Sequence, residues 1–309
     1  MNNPFGGFGG RAKQLTPWLG IAPGLAVFAI FAFLPALAVL PLSLTNISGI
    51  ANAPWHFVGF DNYVRFFSGG QFSDDMGALE RSIIFCLTVT VIQTTLALGI
   101  AILLNGKVRG RSLWRTIVFM PTVLGVTVIG LTWSLFFNPT GGPGESIWKV
   151  FGGTSAFFGN IHLAFPLVIF VQIWASTGFA MIIFLAGLQA VPEDLMEAAT
   201  VDGAGRWSRF RNVTYRLIAP AMTANILLAI IGSLQSYQYV YVLTSGEYNT
   251  NVLAYDVFAS TFGGSATGGG GNGIQQQGYA AAVSMIQFGV IIVIALTALW
   301  YLRRREVDL

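Results

Sequence analysis

The sequence predicts an all-α, polytopic membrane protein with six transmembrane helices, and two observations carry that prediction. Charged residues are only 9% of the 309 residues while hydrophobic ones are 54%, far from the roughly one-quarter charged composition of a soluble domain. The Asp, Glu, Lys and Arg residues that do occur are gathered into clusters that leave six long stretches with none: 14–60, 82–106, 116–144, 150–192, 217–246 and 257–302. Ionisable side chains are the class that hydrocarbon tolerates least, and a spanning helix needs roughly 20 apolar residues at about 1.5 Å rise each. Even the shortest stretch, at 25 residues, holds one span. The two longest contain polar runs, 46–60 and the Gly-rich segment after Phe262, so each is also assigned one.

In order, the spans are predicted over residues 17–44, 82–104, 116–137, 164–188, 217–243 and 279–302. The first is preceded by a tail, 1–16, and its apolar stretch exceeds the roughly 7 to 15 residues of a signal-peptide core, so it is expected to remain as a span. Cys86, the single cysteine, falls in span two and is read as a small packing residue, since one thiol supports neither a disulfide framework nor a metal cluster. Basic residues set the orientation. Thirteen of the 16 lie on one side: Arg11 and Lys13, then Lys107, Arg109, Arg111 and Arg115, then Arg206, Arg209, Arg211 and Arg216, then Arg303, Arg304 and Arg305. Lys and Arg are retained on the cytoplasmic side, which places both termini there. The net charge of +3 is thus a property of membrane flanks and gives no sign of a nucleic-acid surface.

No catalytic residue is assigned. His56 and His162 fall outside spans or at their outer ends, with no HExxH pattern or neighbouring Cys to hold a metal, and are read as structural. The nearest approach to a phosphate loop, Asn105-Gly106-Lys107-Val108, lacks the upstream glycine and the following Ser or Thr, so the chain is not expected to hydrolyse ATP by itself. An ion-coupled secondary carrier is the alternative reading. Such carriers place ionisable residues inside the membrane as coupling sites, and no predicted span contains a carboxylate or a lysine. Sodium held by carbonyls and hydroxyls keeps that alternative open.

The most informative segment is the cytoplasmic loop 191–216, which reads as two short helices around a turn. Pro192 suits a first helical position, Glu193 and Asp194 favour the positive end of a helix, and Gly203 and Gly205 permit conformations that end one. At about 100° per residue, Leu195, Ala198 and Ala199 share one face while Glu193 and Glu197 share the opposite one. After the turn, Trp207, Phe210, Thr214 and Leu217 fall on one stripe, with Arg209 and Arg216 on the far side. Two readings fit this amphipathic pair equally: a docking element for another protein, and an interfacial pair lying on lipid headgroups.

Glu197-Ala198-Ala199, Asp202-Gly203-Ala204, Phe210, Val213 and Pro220 resemble the EAA loop of permease subunits in bacterial ATP-binding-cassette (ABC) importers, and the position between spans four and five of six matches. Val58-Gly59-Phe60-Asp61-Asn62-Tyr63, Leu104-Asn105, Arg109-Gly110-Arg111, residues 115–121, Tyr237-Gln238 and Val242-Leu243-Thr244 are similar to segments of its sugar-uptake branch, the maltose-, lactose- and glycerol-phosphate-type permeases. The resemblance implies a type I ABC importer permease fold, one transmembrane domain over 1–309, in a bacterial plasma (inner) membrane. It implies that Glu197, Ala198, Ala199, Asp202, Gly203, Ala204 and Arg206 couple to a separate ATPase, with Glu197 carrying an ion pair there. No cofactor is then bound by this chain, and ATP and Mg belong to the partner ATPase. The implied partners are a second permease, commonly a different chain, two ATPase subunits and an extracytoplasmic sugar-binding protein. The implied substrate is a di- or oligosaccharide or a related polyol or glycerol phosphate. Two departures stand out. Tyr215-Arg216 replaces the usual Leu-Pro, which predicts a more continuous run of the second short helix into span five. Tyr237-Gln238 replaces the frequent Phe-Asp and removes a carboxylate.

Sugar sites combine aromatic faces with hydrogen-bonding side chains. Gln172 and Trp174 in span four, and Asn225, Ser233, Gln235, Tyr237, Gln238 and Tyr239 in span five, are the substrate candidates, and each could instead pack between helices. A buried amide in lipid needs partners, so at least one is expected to face a cavity or a neighbouring helix. The Gly-rich insert 263–278 reads as a flexible outer loop, with Glu247 and Asp256 nearby read as solvated.

Overall fold

A computed structural model describes residues 20–50, 52–68, 72–106, 108–151, 153, 155–263 and 275–304. The predicted tail 1–16, Lys107, Arg305 and residues 264–274 of the Gly-rich insert lie outside them. The first span, α1 (Gly20–Leu42), is an apolar rod with a π-helical turn at Ala29–Phe33. None of its hydrophobic window is buried; among the described residues it packs chiefly along the last span and is otherwise exposed, as a lipid-facing helix is. Its end is pinned to α2 (Asp61–Ser68) by the buried Asn62 side chain, which donates to the carbonyls of Ser43 and Thr45 at 2.8 and 2.9 Å.

The second span, α3 (Phe72–Asn105), starts about ten residues before the predicted boundary at 82. Asp74, Asp75, Glu80 and Arg81 are therefore helical. Charge marks where hydrocarbon ends, and this helix continues past that level. Span three is broken: α4 (Arg111–Val123) and α5 (Val126–Phe136) meet at 100° instead of forming the single helix predicted over 116–137. Leu124 and Gly125 are extended, with ψ of 140° and 144°, just after Pro121, whose missing N–H weakens the last turn. Next come α6 (Pro143–Val150) and a 3-10 turn at Phe157–Gly159. Span four, α7 (Ala164–Gln189), matches its predicted start and ends one residue later.

After the loop helices α8 (Glu193–Val201) and α9 (Arg206–Leu217) comes span five, predicted as one helix over 217–243. It is instead α10 (Ala219–Leu234), a break at residues 235–237, and α11 (Gln238–Thr244). The expected continuity of α9 with span five is also absent, since the two meet at 68° around the buried Ile218. Broken backbone at membrane depth is tolerated where protein groups satisfy it. Here the Gln287 amide donates to the Leu234 carbonyl at 2.8 Å, and the Ser236 hydroxyl donates to Gln172 Oε1 at 2.8 Å. A further helix, α12 (Leu253–Phe262), precedes the sixth span, α13 (Gln277–Arg303). Among the described residues four helices are long and apolar enough to cross a membrane, and counting each bent pair, α4 with α5 and α9 with α10, as one span gives the predicted six.

The bundle centres on the α3 and α7 pair. Gly178 of α7 lets α4 come within backbone contact, since a Cβ there would lie 2.8 Å from the Phe119 Cα. One apolar cluster holds Phe85, Val168, Ile129 and Tyr255, and a second holds Ala101, Phe184 and Ile218. Cys86 is buried against Ile230 and Leu234, the packing role expected of it. Asp256 corrects the sequence reading. It is 8% exposed, accepts from the Asn251 amide at 2.6 Å, and desolvation pushes its carboxyl up to about 7. Asn251 in turn offers its backbone carbonyl to Arg81 at 2.7 Å, so the start of α12 is tied to the N-terminal part of α3. Glu247 is half-buried.

Candidate coupling loop and membrane cavity

The loop between spans four and five folds as two helices held in one arrangement by their own backbone. Pro192 is the N-cap rather than the first helical residue, and Glu193 and Asp194 occupy the first turn of α8. The helix ends in a Schellman motif: Gly203 N–H donates to the Thr200 carbonyl at 3.1 Å and Ala204 N–H to the Ala199 carbonyl at 3.0 Å. Gly203 sits at φ +77°, in the left-handed region. Gly205 does a different job from the one its sequence suggested. Its backbone is extended, and its carbonyl accepts from Arg209 N–H at 2.9 Å to start α9.

Side chains then tie α8 to α9. Arg209 Nη1 donates to Thr200 Oγ1 at 2.6 Å, and the Thr214 hydroxyl lies 3.6 Å from Met196 Sδ. Met196 and Ala199 are half-buried on this inner side, while Leu195, Ala198, Val201 and Asp202 are exposed on the outer one. Ala199 thus parts company with Leu195 and Ala198, with which it was grouped. Arg209 and Arg216, expected on one side, line different hollows. Between them lies the π turn Phe210–Thr214, whose wider winding rotates every later residue. Glu193 and Glu197 border a hollow of about 530 Å³ beside Asn105 and Gln189, and among the described residues neither carboxylate has an ion-pair partner. Arg206 is exposed at the start of α9, next to Trp207, whose ring stands 5.6 Å from that of Phe210.

The second feature is a small cavity of about 180 Å³ between α3, α7 and α10, lined by Gln93, Gln172, Ser176, Asn225 and Ser233 along with apolar neighbours. The Ser176 hydroxyl reaches Gln93 Oε1 at 2.9 Å and the Gln172 carbonyl at 2.6 Å. Asn225 donates to the Ala180 carbonyl at 3.1 Å. Residues 172 and 176 lie a turn apart on one face of α7, so both point the same way. Three of the eight sequence candidates, Gln172, Asn225 and Ser233, therefore converge.

The other five stand elsewhere. Trp174 meets Trp133 edge to face at 5.3 Å and borders an apolar groove of about 760 Å³ among α3, α4 and α7. Tyr237 stacks on Phe258 at 4.8 Å, and Tyr239 is buried in the apolar cluster of Phe85 and Tyr255. Gln235, in the break of span five, and Gln238, just after it, are both exposed. Gln93 was not among the candidates. An amide eleven residues into the charge-free stretch 82–106 is the signal that could have found it.

A helical bundle with two bent spans, a polar cavity between three spans and a rigid helix pair projecting from one end has the build of a transport subunit. Residues 93–305 match the family described as binding-protein-dependent transport system inner membrane component, and the chain belongs to that family. It is 32% identical over 231 residues to the trehalose/maltose transport system permease protein MalF of Thermococcus litoralis, covering 74% of this chain and 77% of that one. It is 30% identical to the diacetylchitobiose uptake system permease protein NgcF of Streptomyces coelicolor, covering 92% and 81% of the two. In fold it matches a chain of a crystal structure of a bacterial ABC transporter involved in importing the acidic polysaccharide alginate. That match has a TM-score of 0.77 and 23% identity, covering 94% of this chain and 98% of that one.

Proposed function

We propose that the chain is a permease subunit of an ATP-driven, binding-protein-dependent importer of a carbohydrate, a di- or oligosaccharide or a related polyol or glycerol phosphate. The observation that carries this reading is the loop 191–216, braced internally while Glu197, Ala198, Asp202 and Gly203 stay exposed at its tip. A loop that only rested on headgroups would need no such bracing. The relatives' names, which concern trehalose, maltose and diacetylchitobiose, support the substrate class. Together with the basic residues, the reading puts the loop and both termini on the cytoplasmic side of a bacterial plasma membrane.

In this account the loop seats on a separate ATPase, where Glu197 meets a cationic partner and Ala198, Ala199, Asp202, Gly203, Ala204 and Arg206 form the contact. ATP and Mg are bound by two such ATPase subunits and none by this chain. Motion of the loop passes through the 68° joint at Ile218 into α10, one wall of the polar cavity. Gln93, Gln172, Ser176, Asn225 and Ser233 offer hydroxyls and amides there to sugar hydroxyls. A second permease completes the pathway and an extracytoplasmic binding protein delivers the substrate.

The test is copurification of the tagged chain in mild detergent, with wild type compared against Glu197→Ala. Wild type is expected to bring down an ATPase subunit whose activity the loop variant uncouples or loses. A wild-type chain that carries no ATPase activity sinks the reading.

A further inference from the structure

We propose that the hollow between α9, the first turn of α10 and the last turn of α13 binds the phosphodiester headgroup of an anionic phospholipid. The hollow measures about 790 Å³, and Arg211, Arg216 and Arg304 line it together with Trp207, Tyr215 and Met222. No carboxylate stands among the described residues that line it. Arg211 and Arg216 are exposed and have no ion-pair partner among the described residues, in contrast to Arg209, which turns away to Thr200. Three guanidinium groups around one hollow repel each other until an anion enters. Their planar forks match the two free oxygens of a phosphodiester, a geometry that a point charge does not share.

Depth selects a lipid over a free anion. α10 begins at Ala219 and α13 ends at Arg303, so the hollow lies at the edge of the hydrocarbon layer. Ala219, Met222 and Leu302 give its lining an apolar part that acyl chains could meet. Trp207 is 70% exposed beside it, and indole and phenol rings settle at headgroup level. Arg304 stacks on Trp300 with its Cζ 3.6 Å from the ring centroid, which holds a charged group at that level. Basic pockets between the ends of spans are the form such headgroup sites take. The site does not depend on what the transporter carries.

The test uses the full-length chain, delipidated in mild detergent and titrated with phosphatidylglycerol or with phosphatidylcholine of the same acyl chains, with bound lipid counted by native mass spectrometry. Phosphatidylglycerol is expected to bind tightly at one site and phosphatidylcholine weakly. Arg211→Gln and Arg216→Gln are each expected to weaken phosphatidylglycerol roughly tenfold, the size of a lost charge-assisted hydrogen bond. Arg304→Gln, on a different helix, carries the same expectation and does not depend on α9 folding. Equal binding of the two lipids, or unchanged binding in all three variants, overturns the proposal. So does displacement by millimolar inorganic phosphate, which marks a soluble-anion site. Variants that keep the lipid but lose a copurifying ATPase subunit would show a protein interface instead.

Discussion

Gly203 concentrates the coupling argument in one backbone angle. It holds φ at +77°, and a Cβ added there meets nothing within 4 Å. The cost of Gly203→Ala is therefore conformational and free of any clash, about 1–2 kcal/mol for an L residue held in the left-handed region. That is roughly a 5- to 30-fold fall in the ratio of docking to non-docking loop arrangements, and the apparent Kd for a partner rises by up to the same factor. Gly203→Asn should cost less, because asparagine visits this region more readily. Gly203→Pro should abolish docking, since its ring fixes φ near −65° and deletes the N–H that donates to Thr200. The assay is titration of the purified ATPase subunit against the chain in nanodiscs, with thermal unfolding as a control. Unfolding should scarcely move, because no α8 residue is buried. Ala and Pro variants that bind like wild type would refute the reasoning.

Other residues give independent checks. Gly178→Ala drives a methyl into the α4 backbone, with Phe119 Cα 2.8 Å away; overpacking of this kind costs about 1–3 kcal/mol, so the thermal midpoint in detergent should drop by several degrees. Gln93→Leu removes the acceptor of the Ser176 hydroxyl in the polar cavity; the apparent KM for transported sugar should rise roughly 2- to 10-fold, and an unchanged KM would remove the cavity from the substrate path. Asp256 binds its proton more tightly in the fold than in the unfolded chain, so its contribution is complete below about pH 4 and is lost as pH rises to about 7. Wild-type unfolding midpoints should fall across that window, and Asp256→Asn should flatten the dependence.

Spacing of charge made the spans legible, because a missing ionisable group is a direct statement about the surrounding medium. It located α7 to within one residue and α13 to within two at its start. It could not reveal the breaks at Leu124 and at residues 235–237, since hydropathy is blind to the direction in which an apolar chain runs. Nor could it foresee Asp256, whose burial depends on α12 folding back over α3. In the loop, the turn at Gly203 was readable from composition. The π turn that separates Arg209 from Arg216 was not, because it depends on the joint at Ile218 and on the tie to Thr200. Gln172, Asn225 and Ser233 converged as candidates because an amide or hydroxyl in a span needs a partner. Trp174 and Tyr239 carry far more apolar surface than polar, and packing took them.

The most direct test of the central claim is sugar uptake into proteoliposomes that hold the chain with its copurifying subunits and an external binding protein. The account predicts accumulation that requires ATP on the ATPase side and persists when ionophores collapse every ion gradient. Uptake that survives without ATP and stops with the gradient would contradict it and make the chain an ion-coupled carrier.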